Sequence, residues 1–308
     1  MVLVDNYGRP TLNLRVSITQ NCNLRCGYCH REGETSEGSL SEMTVEEIVR
    51  IVSVAIGLGI SRVKLTGGEP LYRKDIVDIV GGINKLNGLK DLAMTTNGCF
   101  LASLAKDLKA NGLRRVNVNI PTLNSRTYQD LTGGGDLKNV IDGIEEAVRV
   151  GLFPVKLNMV LLHGVNTTEV ERMIGFAERT GAILQLIELE PINVSEAYYE
   201  RHHFELDEIE ESLKKEAYEM KTREYMQNRR IYFLPKVKVE VVHPMENTEF
   251  CQHCTRLRVT SDGKLKPCLM RNNNLVDVLN PMRSGADDKE LTQLFIEAVK
   301  NREPYCNA

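Results

Sequence analysis

Neither sign of charge prevails in this chain. Its 308 residues carry 39 lysines and arginines against 42 aspartates and glutamates, a balance that gives no general attraction for nucleic acid or a membrane surface. Any anion it binds has to be held by a local site. No run approaches the ~20 apolar residues needed to span a bilayer. No basic and apolar leader follows Met1, so the chain reads as soluble and cytoplasmic. Internal repeats and low-complexity segments are missing as well. Nor are crosslinks needed, because a chain of this length buries a sizeable core without them. Grouped cysteines in a reducing compartment then read as metal ligands or redox groups rather than bridges.

Cysteine is what stands out, in two groups. Cys22, Cys26 and Cys29 form a C-x₃-C-x₂-C run, and Cys251 and Cys254 form a C-x₂-C pair followed after thirteen residues by Cys268. Four thiolates would close a tetrahedral zinc or iron–sulfur site, whereas three leave one coordination position to a non-protein ligand. His30 and His253 are the neighbours that would turn either group into a Cys₃His zinc site. Cys99 and Cys306 lack such spacing and read as ordinary residues.

From about Leu12 to Glu190, short β-type runs alternate with longer amphipathic ones, the pattern of βα units on a parallel sheet. Predicted strands cover 12–19, 62–66, 92–96, 116–120, 155–161 and 183–188, and helical spacing marks 45–55, 75–85 and 140–149. Successive strand residues point to opposite faces. Arg15 and Ser17 therefore share one face, as do Arg62, Lys64 and Thr66, then Asn117 and Asn119, then Lys156 and Asn158. Their apolar neighbours share the other face. An ordinary (β/α)₈ barrel fills its interior with branched apolar side chains. Here the apolar face suits the helices, and the polar face is left pointing inward, where it suits a polar, anionic ligand. An open sheet with one wet face is the alternative. Gly67-Gly68-Glu69-Pro70 ends the second strand, where glycines let backbone approach a ligand and Glu69 offers a carboxylate to a ligand ammonium; alone, it reads equally as a turn into a helix. The division read from the chain is a barrel over 1–195, a charged and solvated helical connection over 196–230, and an extension over 231–308 that opens with a strand at 231–242.

The first cysteine run, with Tyr28 before its last cysteine and Gly-Gly-Glu-Pro after the second strand, resembles the radical S-adenosylmethionine enzymes. The run Phe250-Cys251-Gln252-His253-Cys254-Thr255-Arg256-Leu257-Arg258, then Ser261-Asp262-Gly263-Lys264 and Cys268-Leu269, is similar to the C-terminal site of the GTP 3′,8-cyclase family of molybdenum-cofactor biosynthesis. Residues 14–17, 65–71 and 95–98 match that family too. The resemblance implies a partial (β/α)₆ barrel whose C-terminal extension carries a second cluster. It implies two [4Fe–4S] clusters, one on Cys22, Cys26 and Cys29 and one on Cys251, Cys254 and Cys268. S-adenosylmethionine would lie at Tyr28, Gly68, Glu69 and Asn119, and GTP at Arg15, Arg62, Lys64, Thr95, Lys156, Arg256, Leu257 and Arg258. The chemistry implied belongs to the clusters and a 5′-deoxyadenosyl radical rather than to a catalytic side chain: the ribose H3′ is taken, and C3′ closes on guanine C8. The partners implied are an electron donor, a downstream cyclic pyranopterin monophosphate synthase and a second copy in a homodimer.

The chain departs from the family at three places. Asn119-Ile120-Pro121 stands where many relatives read Ser-Leu-Asp, Gln185 stands where bacterial relatives carry a substrate-binding arginine, and the ending Glu303-Pro304-Tyr305-Cys306-Asn307-Ala308 lacks a Gly-Gly tail. These differences suggest an archaeal branch. The competing expectations are a radical enzyme acting on a peptide and a non-catalytic iron–sulfur or zinc redox sensor.

Overall fold

The structure is a computed structural model that describes residues 2–34, 42–245 and 247–305. Cys306 lies outside them. Six parallel strands stand side by side in chain order: β1 (Asn13–Ser17), β2 (Arg62–Thr66), β3 (Asp91–Thr96), β4 (Arg115–Asn119), β5 (Lys156–Leu161) and β6 (Ile183–Glu188). Between them run α1 (Val45–Gly57), α2 (Ile76–Asn84), α3 (Leu101–Ala110), α4 (Ser125–Thr132) with α5 (Leu137–Arg149), and α6 (Val170–Thr180). Local chemistry fixes several of these starts. Thr44 and Glu47 close a reciprocal capping box at α1, and Asn124 and Asp136 accept the first free amides of α4 and α5. Leu14, Val16, Val63, Leu65, Val116, Val118, Leu157 and Met159 are all buried with the helices' apolar stripes. The polar strand faces are thereby turned away from the helices. This is the partial (β/α)₆ arrangement expected.

The chain then adds to both edges of the sheet. After α7 (Glu196–His202) and α8 (Asp207–Glu216) come β7 (Glu219–Arg223), β8 (Arg229–Phe233) and β9 (Lys238–Val242); β9 pairs parallel with β6, and β8 pairs antiparallel with β9 on one side and β7 on the other. A short helix α9 (Thr248–Gln252) leads to β10 (Arg256–Val259), which pairs parallel with β1. Strands β11 (Lys264–Lys266) and β12 (Val276–Asp277), then α10 (Leu279–Arg283) and α11 (Asp288–Lys300), complete the described chain. The sheet has twelve strands in the order β12-β11-β10-β1-β2-β3-β4-β5-β6-β9-β8-β7.

Three expectations change here. The connection over 196–230 is helical only in its first part, because residues from Glu219 onward enter the sheet. The strand expected over 231–242 is two strands, broken at Leu234-Pro235-Lys236, since proline cannot donate to a ladder and favours a turn. Nor is the acidic run of α8 wholly solvated: Glu210 is buried and accepts from Tyr232 Oη (3.0 Å) and Arg230 Nη1 (2.9 Å). His243 lies between this carboxylate (3.4 Å) and Glu188 (3.7 Å), and Glu188 also meets His203 at 2.8 Å. Burial pushes the His243 imidazole down, but the facing carboxylates of Glu188 and Glu210 carry it up to about 9. Between pH ~6.5 and about 9 the folded protein therefore keeps a proton that the unfolded chain has released. The stability gained is full below that window and is lost as pH rises through it. Urea midpoints at the two ends of the window should fall with rising pH in the wild type and much less in His243→Asn.

Candidate active site between two cysteine loops

The polar faces of the strands, together with both cysteine groups, line one cavity. The first group sits on the loop after β1. That loop is pressed against the glycines ending β2: Gly68 N donates to Thr19 O (2.7 Å) and Glu69 N to Asn21 O (2.8 Å). A Cβ on Gly68 would stand 2.3 Å from Asn21 O and 2.6 Å from Gln20 O, and Gly67 has φ +141° with Thr19 O at 2.2 Å from its virtual Cβ. No side chain fits there without moving backbone. Gly68→Ala should accordingly cost about 3 kcal/mol, the upper end for overpacking, and lower the iron held by the first group; melting and iron assays read both.

Glu69 is fully buried and does not line the cavity. Its carboxylate accepts from Leu71 N (2.9 Å), Thr96 Oγ1 (2.6 Å) and Asn97 N (2.6 Å). It thus ties the end of β2 to the end of β3, and in this structure its oxygens are engaged by protein donors rather than offered to a ligand ammonium. Burial still pushes the carboxyl up to about 7 against those three donors. Asn97 in turn donates from Nδ2 to Asn23 Oδ1 (2.8 Å) and lies 3.8 Å from Cys22 Sγ.

Each of the two histidines that would complete a zinc site has its Nδ1 engaged by backbone. His30 Nδ1 accepts from Glu32 N (3.0 Å), and His253 Nδ1 meets Glu249 O (2.9 Å). Among the described residues, the one trio of histidine, cysteine or carboxylate groups with all ligand atoms within 4.8 Å is Asp207, Glu210 and His243. Both cysteine triplets are more widely spread, whereas a Zn–S bond of ~2.3 Å sets tetrahedral sulfurs only ~3.8 Å apart. Neither triplet is therefore drawn in as tightly as one tetrahedral zinc would draw it. At the second group, burial pushes the Cys254 thiol up, but the charges of Arg302, Arg256 and Arg9 bring it below its ordinary value, as a thiolate ligand requires.

The pairing of β10 with β1 brings the two loops together. Its register sets Arg256 opposite Asn13 and Arg258 opposite Arg15. Glu34, from the loop after Cys29, accepts from Ser261 Oγ (2.7 Å), and Lys266 Nζ donates to Gly33 O (3.0 Å). Arg31, Glu32 and Gly33 have φ of 47°, 53° and 70° in succession. This left-handed run turns Glu32 inward, where it pairs with Arg258, accepts from Thr66 Oγ1 (2.6 Å) and meets Arg15 Nη1 at 3.5 Å.

Among the described residues, eleven arginines and lysines line the cavity against four glutamates. Lys64 donates to Asn117 Oδ1 (3.0 Å), and burial followed by the charges of Arg115, Arg15, Lys156 and Arg256 pushes its ammonium well below the ordinary lysine value. Arg256 is pushed down likewise by burial and by Arg229 and Arg15. Among the described residues neither has a carboxylate within 4.0 Å. An anion in the cavity would relieve both.

Of the residues singled out in the sequence, Arg15, Tyr28, Lys64, Gly68, Thr95, Asn119, Lys156, Arg256, Arg258 and all six cysteines line the cavity. Asn119 Oδ1 accepts from Asn158 Nδ2 (2.9 Å). Arg62 does not line it: it is exposed at the start of β2, two residues short of Lys64. Leu257 faces the other way and is fully buried in the apolar core, as strand alternation requires between Arg256 and Arg258. Arg9, Glu32, Arg115, Arg223, Arg229 and Arg302 also line the cavity and were not anticipated. Pro235 marks only the turn between β8 and β9, not the preceding turn that Arg223 and Arg229 flank; for Arg9 and Arg302, far apart in sequence, there was no signal.

Residues 16–177 match the family model of the radical SAM superfamily, and residues 182–308 match that of Molybdenum Cofactor Synthesis C. A probable GTP 3′,8-cyclase of Thermococcus kodakarensis is 51% identical over 310 residues, covering 99% of each chain. One of Methanothermobacter thermautotrophicus is 47% identical over 306 residues with the same coverage. Among solved structures, Streptococcus suis SuiB bound to S-adenosylmethionine aligns with a TM-score of 0.64 at 18% identity over 85% of this chain and 61% of its own. Native anSMEcpe with bound AdoMet aligns with 0.62 at 15% identity over 95% of this chain and 81% of its own. This chain thus spans about three fifths of SuiB, and at such identities the two structures speak for the fold alone. The chain belongs to the radical SAM superfamily and, within it, to the family of the GTP 3′,8-cyclases.

Proposed function

We propose that the chain is a GTP 3′,8-cyclase, converting GTP to 3′,8-cyclo-7,8-dihydroguanosine 5′-triphosphate in molybdenum-cofactor biosynthesis. The observation that carries this reading is the pair of half-buried cations Lys64 and Arg256, which have no carboxylate partner among the described residues, in a cavity onto which both cysteine triplets open. Cys22, Cys26 and Cys29 would hold one [4Fe–4S] cluster with S-adenosylmethionine, and Cys251, Cys254 and Cys268 a second one. When bound, these groups supply the one-electron chemistry that removes a hydrogen atom from the substrate.

The side chains do the rest by position and charge. Arg15, Lys64, Lys156, Arg256 and Arg258 bind the nucleotide's anionic groups through charge-assisted hydrogen bonds, and Thr95 adds a hydroxyl. Tyr28, Gly68 and Asn119 border the S-adenosylmethionine side, with Glu69 holding that backbone in place from behind. Arg62 reaches substrate only by extending from the strand's exposed end, and Leu257 only through its backbone. Fixing ribose and adenosyl carbons close together and away from water is the protein's contribution to rate. An external electron donor, a synthase consuming the product and a homodimeric state complete this reading.

Anaerobic incubation of reconstituted protein with GTP, S-adenosylmethionine and dithionite tests it. Formation of 5′-deoxyadenosine and the cyclised nucleotide, both dependent on GTP, is the expected result. 5′-Deoxyadenosine that appears with a peptide and not with GTP would overturn it.

A further inference from the structure

Arg223 ends β7 and Arg229 begins β8, and the antiparallel register sets them directly opposite each other. Both line the cavity. The turn between them holds Gln227 and Asn228 at φ 64° and 55°, a left-handed conformation that residues other than glycine seldom adopt and that persists only where the surroundings impose it. Here they do. Gln227 N donates to His253 O (3.1 Å), Thr255 Oγ1 donates to Tyr225 O (2.9 Å), and Arg229 Nη2 donates to Gln227 Oε1 (2.7 Å). The hairpin tip is fastened to the loop that carries Cys251 and Cys254.

Glu240 stands behind the two arginines, fully buried on β9 and in register with Gln185 of β6. Lys156 Nζ pairs closely with it, Arg223 Nη1 lies 3.3 Å from each of its oxygens, and Arg229 Nη1 lies at 3.6 Å. Among the described residues, Glu240 is the one carboxylate paired with these three cations. The Arg229 side chain is only 8% exposed, yet its Nε is buried with no hydrogen-bond partner among the described residues. A buried N–H donor on a cavity wall with nothing to donate to marks a place for an acceptor. The charge patch is continuous with the rest of the site, since Arg229 is the like charge that acts most strongly on Arg256, followed by Arg15.

We propose that Arg223 and Arg229 bind the phosphate end of the substrate, as a second set of anion-binding residues supplied by the C-terminal hairpin, with Glu240 as the positioning residue that holds them beside Lys156. The inference rests on the reading of the cavity as a GTP site. Planar guanidinium groups match phosphate oxygens in pairs, and a carboxylate at their back keeps two repelling forks pointing the same way.

Equilibrium dialysis of anaerobically reconstituted full-length protein against GTP and against guanosine tests it, using variants whose iron content and melting match the wild type. Arg223→Gln and Arg229→Gln should each weaken GTP binding by ~10-fold or more, the scale of a charge-assisted hydrogen bond, and leave guanosine binding unchanged. Glu240→Gln should lower the ratio of GTP to guanosine affinity, and Glu240→Asp should restore part of it. A wild type that prefers GTP, with arginine variants that keep the full preference, overturns this inference and leaves the cyclase reading intact. A wild type that binds GTP no better than guanosine overturns the triphosphate site itself. A Glu240→Gln variant that binds GTP more tightly would mean that the carboxylate competes with phosphate and does not position the arginines.

Discussion

Cys254→Ala is expected to lower the iron held by the reconstituted protein from about eight to about four atoms per chain, and to abolish consumption of GTP. The thiol stands at the foot of β10, with the charges of Arg302, Arg256 and Arg9 holding it toward the thiolate, and its carbonyl accepts from Arg302. Without it, Cys251 and Cys268 are two ligands, too few to retain a cluster against solvent. The first loop does not depend on these thiols. It is supported by the end of β2 and by the Glu69–Thr96–Asn97 hydrogen bonds, all within the six-stranded part of the sheet. Cys22→Ala should remove a similar share of iron but also the capacity to cleave S-adenosylmethionine. Iron and sulfide assays with electron paramagnetic resonance of the reduced variants separate the two. Retention of all eight irons in Cys254→Ala, or loss of every one, would contradict two independently held clusters.

Glu32→Ala is expected to destabilise the protein by about 3–5 kcal/mol, the usual effect of removing one partner from a buried charge pair. The carboxylate is the shared counter-charge of Arg15 and Arg258 and the acceptor for Thr66 Oγ1. Burial would push it up, but the two guanidinium groups hold it far below the ordinary carboxylate range. A folded-state value depressed in this way contributes stability that is present above the ordinary range and is lost as pH falls below it. The wild type should therefore lose stability toward acid more steeply than Glu32→Ala or Glu32→Gln, as urea titrations over pH 3 to 7 would record. A loss under about 1 kcal/mol, the size of an exposed pair, would mean that cavity water serves the arginines as well as Glu32 does.

Strand alternation made much of the cavity readable. A polar residue at every second position of β1, β2, β4 and β5 can only be one face, and helices that are apolar on one stripe can only cover the other. Arg15, Lys64, Asn117, Asn119, Lys156 and Asn158 accordingly line the cavity. The same rule, applied with the end of the strand left out of account, included Arg62. It shares the face of Lys64 but sits where the strand begins, and there it reaches solvent. Leu257 fails for the complementary reason, because between two inward arginines a strand residue must face the core.

The carboxylates were harder to read. Glu32 follows a cysteine loop and Glu240 lies in a run of alternating valines and lysine, and neither sequence context distinguishes a buried counter-charge from a surface one. Glu210 was placed among solvated acids because five charged neighbours surround it in sequence, yet one turn of helix aims it at Tyr232 and His243. Short-range pattern reports which face a residue is on; it does not report what comes to meet that face.

The sequence by itself determined the local chemistry: three thiols within eight residues, a glycine pair that lets backbone meet backbone, and strands with one charged face. These depend on spacing along a few residues, and spacing is fixed by covalent geometry. Only the tertiary structure decided that β10 lies beside β1, that β9 lies beside β6, and that Cys254, Arg256, Arg223 and Arg229 therefore stand on the same cavity as Cys22. Strand pairing between segments some 240 positions apart, as for Arg15 and Arg258, is selected by the burial of a whole sheet face, an energy spread over many residues and carried by no single motif.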